Sequence, residues 1–269
     1  MLYQHKPDGQ TLTKLPDSGV IINGQNIFPA LLDQRPDVVS ELVAAGLLWT
    51  TTDPVAPNPL YYTYTVNADG TYTSAPIPLS QVQAQQTAAI SAACQAAILA
   101  GFAAKVGAST YNICYGAQDQ SNLQTNATTV LAKMSSAKPW SAAMTVNQFD
   151  VIQVNGEYYI AMTGGTAGTT QPTLPTQFQQ EVTDGTIQWA LFGLLVATYT
   201  TTNGVTTYTN VWFDAASIYS IFAQGVNWLT GCRAKYNALA AQIAAYQPVI
   251  PANNETDIAN ILAIVWSYP

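Results

Sequence analysis

From Ile218 the chain places small or apolar residues at alternating steps of four and three: Ile218, Phe222, Gly225, Leu229, Cys232, Tyr236, Leu239, Ile243 and Tyr246. A spacing averaging ~3.5 residues keeps one narrow stripe of a helix turned toward a neighbouring helix. The pattern predicts a heptad helix capped by Asp214 and running to about Tyr246, roughly 50 Å at ~1.5 Å per residue. Two partners fit the stripe. One is the same helix in other copies, a coiled coil that makes the chain a homo-oligomer, most simply a trimer. The other is an alanine-rich helix of the same chain over about 80–100, with Ser80 as its cap and Gly101 as its stop.

The remaining periodicities divide the chain. Residues 1–75 read as a small α+β module, with a short helix over 37–46 behind Pro36 and a hairpin of 61–66 and 71–73 around Asn67-Ala-Asp-Gly70. Residues 76–145 read as helical: the alanine-rich helix, a polar segment containing Tyr111-Asn-Ile-Cys-Tyr115, and a second helix from Asp119, its cap, to about Met134. Over 146–193 the period is two. Val151, Val154, Tyr158, Ile160, Ile187 and Trp189 fall in short strands separated by Asn155-Gly156, Gly164-Gly165 and Asp184-Gly185, which predicts a small antiparallel β module. Residues 194–269 read as a hairpin about Asn203-Gly204, the long helix, and a last helix over about 255–265. The expected fold class is α+β and multi-module, with the β module inserted into a helical domain.

Only 9% of residues are Asp, Glu, Lys or Arg, against roughly 25% in an average soluble domain, so the surface is neutral and hydrogen-bonding. Eight basic residues are scattered under a net charge of -7, which argues against nucleic acid or anionic lipid as a partner. The longest uncharged apolar runs, 96–104 and 189–197, are about half the ~20 residues of a membrane helix. Met1 to Gln10 carries charge where a secretion signal is apolar, so a soluble chain without membrane insertion is expected. Cys94, Cys114 and Cys232 form no close pair, and neither a zinc knuckle nor a disulfide framework is indicated. Cys94 and Cys232 read as small hydrophobes in helices. The one histidine, His5, sits in a terminus read as mobile, which argues against Ser-His-Asp and Cys-His catalysis and against histidine-held metal. No catalytic residue, metal or cofactor is expected, and the chain reads as not an enzyme.

The block Ser91-Ala-Ala-Cys-Gln-Ala-Ala-Ile-Leu-Ala-Gly-Phe102, then Tyr111, Asp119-Gln-Ser-Asn-Leu123, Pro139-Trp140, the helix over 225–243 and Val265-Trp266 resembles a domain of uncharacterised function found in tail-fibre and other tail proteins of tailed bacteriophages. The similarity covers about 76–145 and 194–266, and Asp119-Gln-Ser-Asn-Leu123 is its most specific part. Between these stretches, Glu157-Tyr-Tyr-Ile-Ala, the run over 164–175 and Thr183-Asp-Gly-Thr-Ile-Gln-Trp189 resemble a small β module of phage tail fibres, similar to carbohydrate-binding modules of the chitin-binding type. The resemblance implies a structural protein of the virion, in the tail fibre or its attachment region, made in the host bacterial cytoplasm. It implies other phage tail proteins and host-surface glycan as partners. Residues 1–75 show no comparably specific resemblance, and their role as an attachment segment rests on position. A tail-fibre assembly chaperone and a capsule-degrading polysaccharide hydrolase are the alternatives.

Within the β module, Phe149, Tyr158, Tyr159, Phe178, Trp189 and Phe192 supply rings suited to stacking on sugar faces. So small a module also needs a core, with Trp189 its expected centre, and period-two geometry sends one of Tyr158 and Tyr159 inward and the other outward. Tyr158, Tyr159 and Phe178 are the candidate glycan-binding residues. Four carboxylates, Asp150, Glu157, Glu181 and Asp184, lie in the same module, and glycoside hydrolysis needs two placed roughly 5–10 Å apart. Asp184, ahead of Gly185, reads first as a turn residue. Gly164-Gly-Thr-Ala-Gly168 lacks the Lys-Ser or Lys-Thr of a phosphate loop and reads as a flexible connection. Asp119 and Asn122 read as helix caps or buried anchors rather than ligands.

Overall fold

The computed structural model describes residues 1–5, 12–16, 18, 20–22, 25–28, 32, 38–39, 42, 47–50, 53–249 and 254–267. The chain is α+β, combining helices with sheets that are antiparallel except at one short pairing. It divides into two compact units: Met1–Ala88 with Gln242–Val265, and Ala89–Ala241 with Trp266–Pro269.

In the first unit the amino terminus is held in a sheet, contrary to the expected mobile end. Strand β1 (Leu2–His5) pairs with β2 (Leu12–Lys14), β3 (Val20–Ile22) pairs with β4 (Gln25–Ile27), and β5 (Leu47–Trp49) completes the first sheet on the other side of β1. Fully buried Leu2 meets Leu32 and Leu42, with Leu47 and Trp49 packed around them. Of the helix expected over 37–46, Val38, Val39 and Leu42 are helical; the other positions lie outside the described residues. The expected hairpin is present as β6 (Tyr62–Val66) and β7 (Tyr72–Pro76). Its turn closes where Asn67 donates its N–H to the Thr71 carbonyl at 2.8 Å, with Gly70 at φ +81°.

Helix α1 (Leu79–Ala100) starts one residue before its expected cap. The Pro78 carbonyl accepts the N–H groups of Gln81 and Val82 at 2.9 and 3.2 Å, so Ser80 lies inside the first turn. Gly101, at φ +92°, ends the helix as expected; a Cβ there would run into the Ile113 carbonyl oxygen. The segment that follows, read only as polar, is a hairpin. Strands β8 (Phe102–Val106) and β9 (Ser109–Ile113) bury Phe102, Ala104 and Ile113. Helix α2 (Ala117–Ser136) also begins earlier than read. Gly116 occupies the cap position, and Asp119, the third helical residue, reaches back to accept the Gly116 N–H at 3.2 Å.

Seven short strands follow: β10 (Lys138–Pro139), β11 (Thr145–Val146), β12 (Val151–Val154), β13 (Glu157–Ala161), β14 (Gly165–Thr166), β15 (Glu181–Asp184) and β16 (Ile187–Leu191). Five form one sheet in the order β10-β12-β13-β16-β15, while β11 and β14 pair separately. Successive residues of β12 and β13 enter two different cores. Ile152, Tyr159 and Ala161 join Ile187 and Trp189 on one face. On the other face Val151, Tyr158 and Ile160 pack with Cys94, Leu123 and Cys232 of the helices and Phe102 of the β8–β9 hairpin. Period two was the right reading, but both sides of this sheet are covered.

Strands β17 (Gly193–Thr202) and β18 (Val205–Asp214) form the expected hairpin, in register from Gly193 opposite Asp214 to Thr202 opposite Val205. Asn203 and Gly204 take φ +52° and +77°, the left-handed pair that a two-residue turn demands. The sheet order is β18-β17-β9-β8, which leaves β18 an edge strand. Asp214 caps α3 (Ala215–Ala244) as expected, accepting the Ser217 N–H and hydroxyl at 2.8 Å each.

The heptad stripe of α3 is covered in part by the chain itself. Ile218, Gly225, Cys232 and Ile243 are buried, and Phe222, Leu229, Tyr236 and Leu239 are half-buried. A Cβ on Gly225 would stand 3.0 Å from the Tyr115 ring and 3.1 Å from the Phe102 ring, so glycine is what lets those rings approach. The Cys94 thiol of α1 donates to the Cys232 carbonyl at 3.6 Å, and the Gln83 side chain donates to the Ile243 carbonyl at 2.9 Å. Ile221, off the stripe, is fully buried, so the apolar face is wider than a coiled-coil seam. Tyr246 lies past the end of α3, and its hydroxyl donates to Asp257 at 2.9 Å. The last helix, α4 (Asn254–Leu262), stops short of the expected Val265. There buried Gln86 donates to the Ile264 carbonyl at 2.6 Å.

Candidate binding site

The two β13 tyrosines do not divide into an inner and an outer ring. Tyr159 is 7% exposed in the sheet's own core, where burial, with Glu157 adding to it, pushes its hydroxyl pKa up. Tyr158 packs on the second core, and its hydroxyl accepts the Gln153 amide at 3.1 Å. Alternation predicts which residues share a face; it cannot show that a distant part of the chain covers that face. Phe178 stacks on Trp212 of β18, ring centroids 5.6 Å apart and planes at 21°. The three candidate residues are therefore not brought to one surface.

Asp184 is a buried anchor and more than a turn residue. Only 4% exposed, it accepts the indole N–H groups of Trp140 and Trp189 on Oδ2 at 2.8 and 3.1 Å, and the Gly168 N–H on Oδ1 at 2.7 Å. The glycine-rich connection is accordingly tied down where flexibility was expected. Gly168 is held by Asp184, the Thr166 N–H donates to the Thr186 hydroxyl at 2.8 Å, and β14 pairs with β11. Asp150 accepts the Asn147 N–H at 2.8 Å, so two of the four carboxylates considered for hydrolysis have local structural tasks. Among the described residues, no group of three His, Cys, Asp or Glu side chains is placed to hold a metal ion, and no helix is long and apolar enough to cross a membrane.

A groove of about 630 Å³ lies between the hairpin β17–β18 and the loop that enters α2. Tyr199, Tyr208 and Asn210 form one wall; Leu99, Cys114 and Asp119 form the other. The hairpin register places Tyr199 opposite Tyr208, and their rings lie 6.4 Å apart at 50°. A neighbouring hollow of about 310 Å³ shares Cys114, Asp119 and Asn210 and adds Asn122 and Asn126. Asp119 and Asn122, from the most specific part of the phage resemblance, thus stand at the groove as well as on the helix start. Asp119 holds the cap through Oδ2, Asn122 accepts the Gln118 amide at 3.0 Å, and Asn126 donates to the Leu195 carbonyl at 3.1 Å. The tyrosine wall was legible in principle: a two-residue turn at Asn203-Gly204 fixes Tyr199 opposite Tyr208. The opposite wall comes from residues some ninety positions upstream and carries no local signal.

Cys114 reports on this groove. It is half-buried while Cys94 and Cys232 are buried. Burial raises its thiol pKa above the ordinary value, and the nearby Asp119 charge raises it further. A raised pKa means less thiolate at neutral pH, so Cys114 is expected to be the first cysteine labelled by maleimide, yet slower than free cysteine at pH 7. The rate should keep climbing beyond the pH at which a free thiol levels off. Mass spectrometry of partly labelled protein across a pH series checks both the site and the direction. Compared with protein families, curated proteins and solved structures, the chain matches none.

Proposed function

We propose that the chain is a structural, non-enzymatic component of a bacteriophage tail, placed in the tail fibre or its attachment region. The observation that supports this most is how the two stretches resembling the phage domain meet. Cys94, Ile98 and Phe102 from the first share one core with Val196, Phe213, Ile218 and Cys232 from the second. The residues between them build four strands of the five-stranded sheet around Trp189, and the first stretch adds β10 at its edge. One domain interrupted by an inserted β module has that organisation, with 1–75 as an attachment module ahead of it. Because Val151 and Ile160 contribute to the shared core, the inserted module acts as a fixed layer of the domain and not as a swinging appendage.

In this reading the protein works mechanically, holding neighbouring tail proteins in place and presenting a neutral polar surface toward host glycan. The heptad stripe packs in part within the single chain, with Phe222, Leu229, Tyr236 and Leu239 half-buried, and sedimentation at micromolar concentration tells whether copies also associate along it. Mass spectrometry of purified virions is the test, and the chain is expected there in fixed proportion to the other tail proteins. Its absence from virions, with recovery from infected cells bound to fibre protein, would show an assembly chaperone instead. Release of sugar from host envelope by the purified chain would show a hydrolase.

A further inference from the structure

We infer that the groove between the β17–β18 hairpin and the start of α2 is a binding site for a short neutral glycan. This deepens the glycan-recognition part of the proposed function and moves it from the β13 tyrosines to the hairpin. The lining, charge and size of the groove point there. Three exposed apolar side chains line the groove or its neighbouring hollow: Tyr208 is 73% exposed, Leu99 52% and Leu195 44%. An apolar floor with a few polar groups around it is the usual make-up of a small-ligand site, and the C–H face of a sugar ring stacks on tyrosine. Around that floor stand Asp119, Asn210 and Thr206, whose carboxylate, amide and hydroxyl suit the adjacent hydroxyl groups of a sugar.

The charge of the groove narrows the ligand. No Lys or Arg lines it, and Asp119 supplies a negative charge, so sialylated, uronic or phosphorylated sugars meet repulsion without a counter-charge. An extended peptide is served less well. The groove runs over the face of the hairpin, formed by side chains, whereas strand addition needs the backbone groups along an edge. A volume of about 630 Å³ accommodates a ligand of about two or three sugar rings.

The test uses the full chain with three neutral probes, the N-acetylglucosamine trisaccharide, maltotriose and lactose, and with sialyllactose as the anionic comparison. Binding is read by saturation-transfer NMR and by protection of Cys114 from maleimide. At least one neutral probe at millimolar concentration is expected to slow Cys114 labelling, and sialyllactose is expected to have no effect. Tyr208→Ala should weaken binding about tenfold, the loss expected for one aromatic platform, with an unchanged melting curve because the ring lies outside the core. Asn210→Ala, also at an exposed position, provides the same comparison if Tyr208→Ala melts early. The inference is overturned if no neutral probe protects Cys114, if binding is unchanged in the variants, or if an uncharged extended peptide protects where the sugars do not. Presence in the virion plays no part in this measurement, so its failure leaves the structural role standing and the two readings separable.

Discussion

Asp184→Ala is expected to lower the melting midpoint of the full chain by about 10 °C. A turn residue would lose one hydrogen bond on truncation, about 1 kcal/mol. Asp184 instead satisfies three donors at once, the indoles of Trp140 and Trp189 and the Gly168 N–H, at a site only 4% exposed. Alanine leaves these donors without acceptors, and one of them, the Trp189 indole, is fully buried. At about 1–3 kcal/mol for each stranded donor, partly offset by relaxation, the cost is on the order of 4 kcal/mol. A domain of this size loses roughly 2–4 °C per kcal/mol. Asp184→Asn is expected to fall between the variant and the parent. Whichever way the amide turns, its NH₂ faces either the two indoles or the Gly168 N–H, donor against donor. Thermal melts give the order, and the near-UV dichroism of Trp140 and Trp189 gives the location. A midpoint for Asp184→Ala within a degree or two of the parent would mean that the cluster contributes nothing to stability.

What was legible in the sequence was whatever a local rule fully determines. Asn203-Gly204 fixed a turn type and with it the register of ten residue pairs. Asp214 fixed a helix start because its carboxylate can reach the third N–H and needs nothing else. Alternation in β12 and β13 was equally local. Apart from the helix starts at Leu79 and Ala117, the missed features depend on a second, distant segment. Phe102-Ala-Ala-Lys-Val106 is poor in β-favouring residues, and it is a strand because Ile113 and Phe213 supply the core it lines. Asp184-Gly185 carries a strong turn signal that conceals the role given to Asp184 by Trp140, far away in sequence. One of Tyr158 and Tyr159 was expected to face outward, but the helical core covers the face that Tyr158 lines. The groove needs Leu99, Asp119 and Tyr208 at once, and no window of sequence contains all three.

Ile221→Asp is expected to abolish stable folding, while Leu229→Asp leaves a folded, weakened protein. The heptad spacing ranks these positions the other way, with Leu229 on the stripe and Ile221 beside it. The structure leaves Ile221 with no exposed surface, against the core of Cys94, Phe102 and Ile218. A carboxylate there must be desolvated or protonated, at several kcal/mol, and the isoleucine burial is lost as well, about 2–3 kcal/mol. Together these approach the whole stability of a typical domain, roughly 5–15 kcal/mol. Leu229 is half-buried and borders an open hollow of about 480 Å³ that also contains Arg233 and Tyr236. A carboxylate at 229 can turn toward water, and Arg233 lies four residues on along the same helix, a spacing that favours opposite charges. The remaining cost is lost packing, about 1–2 kcal/mol. Soluble yield and urea midpoints of both variants, with sedimentation of the parent at micromolar concentration, decide between the two rankings. If Leu229→Asp lost the fold while Ile221→Asp kept it, and the parent sedimented as a trimer, the narrow stripe would be the working surface of α3 and the coiled-coil assembly would be restored.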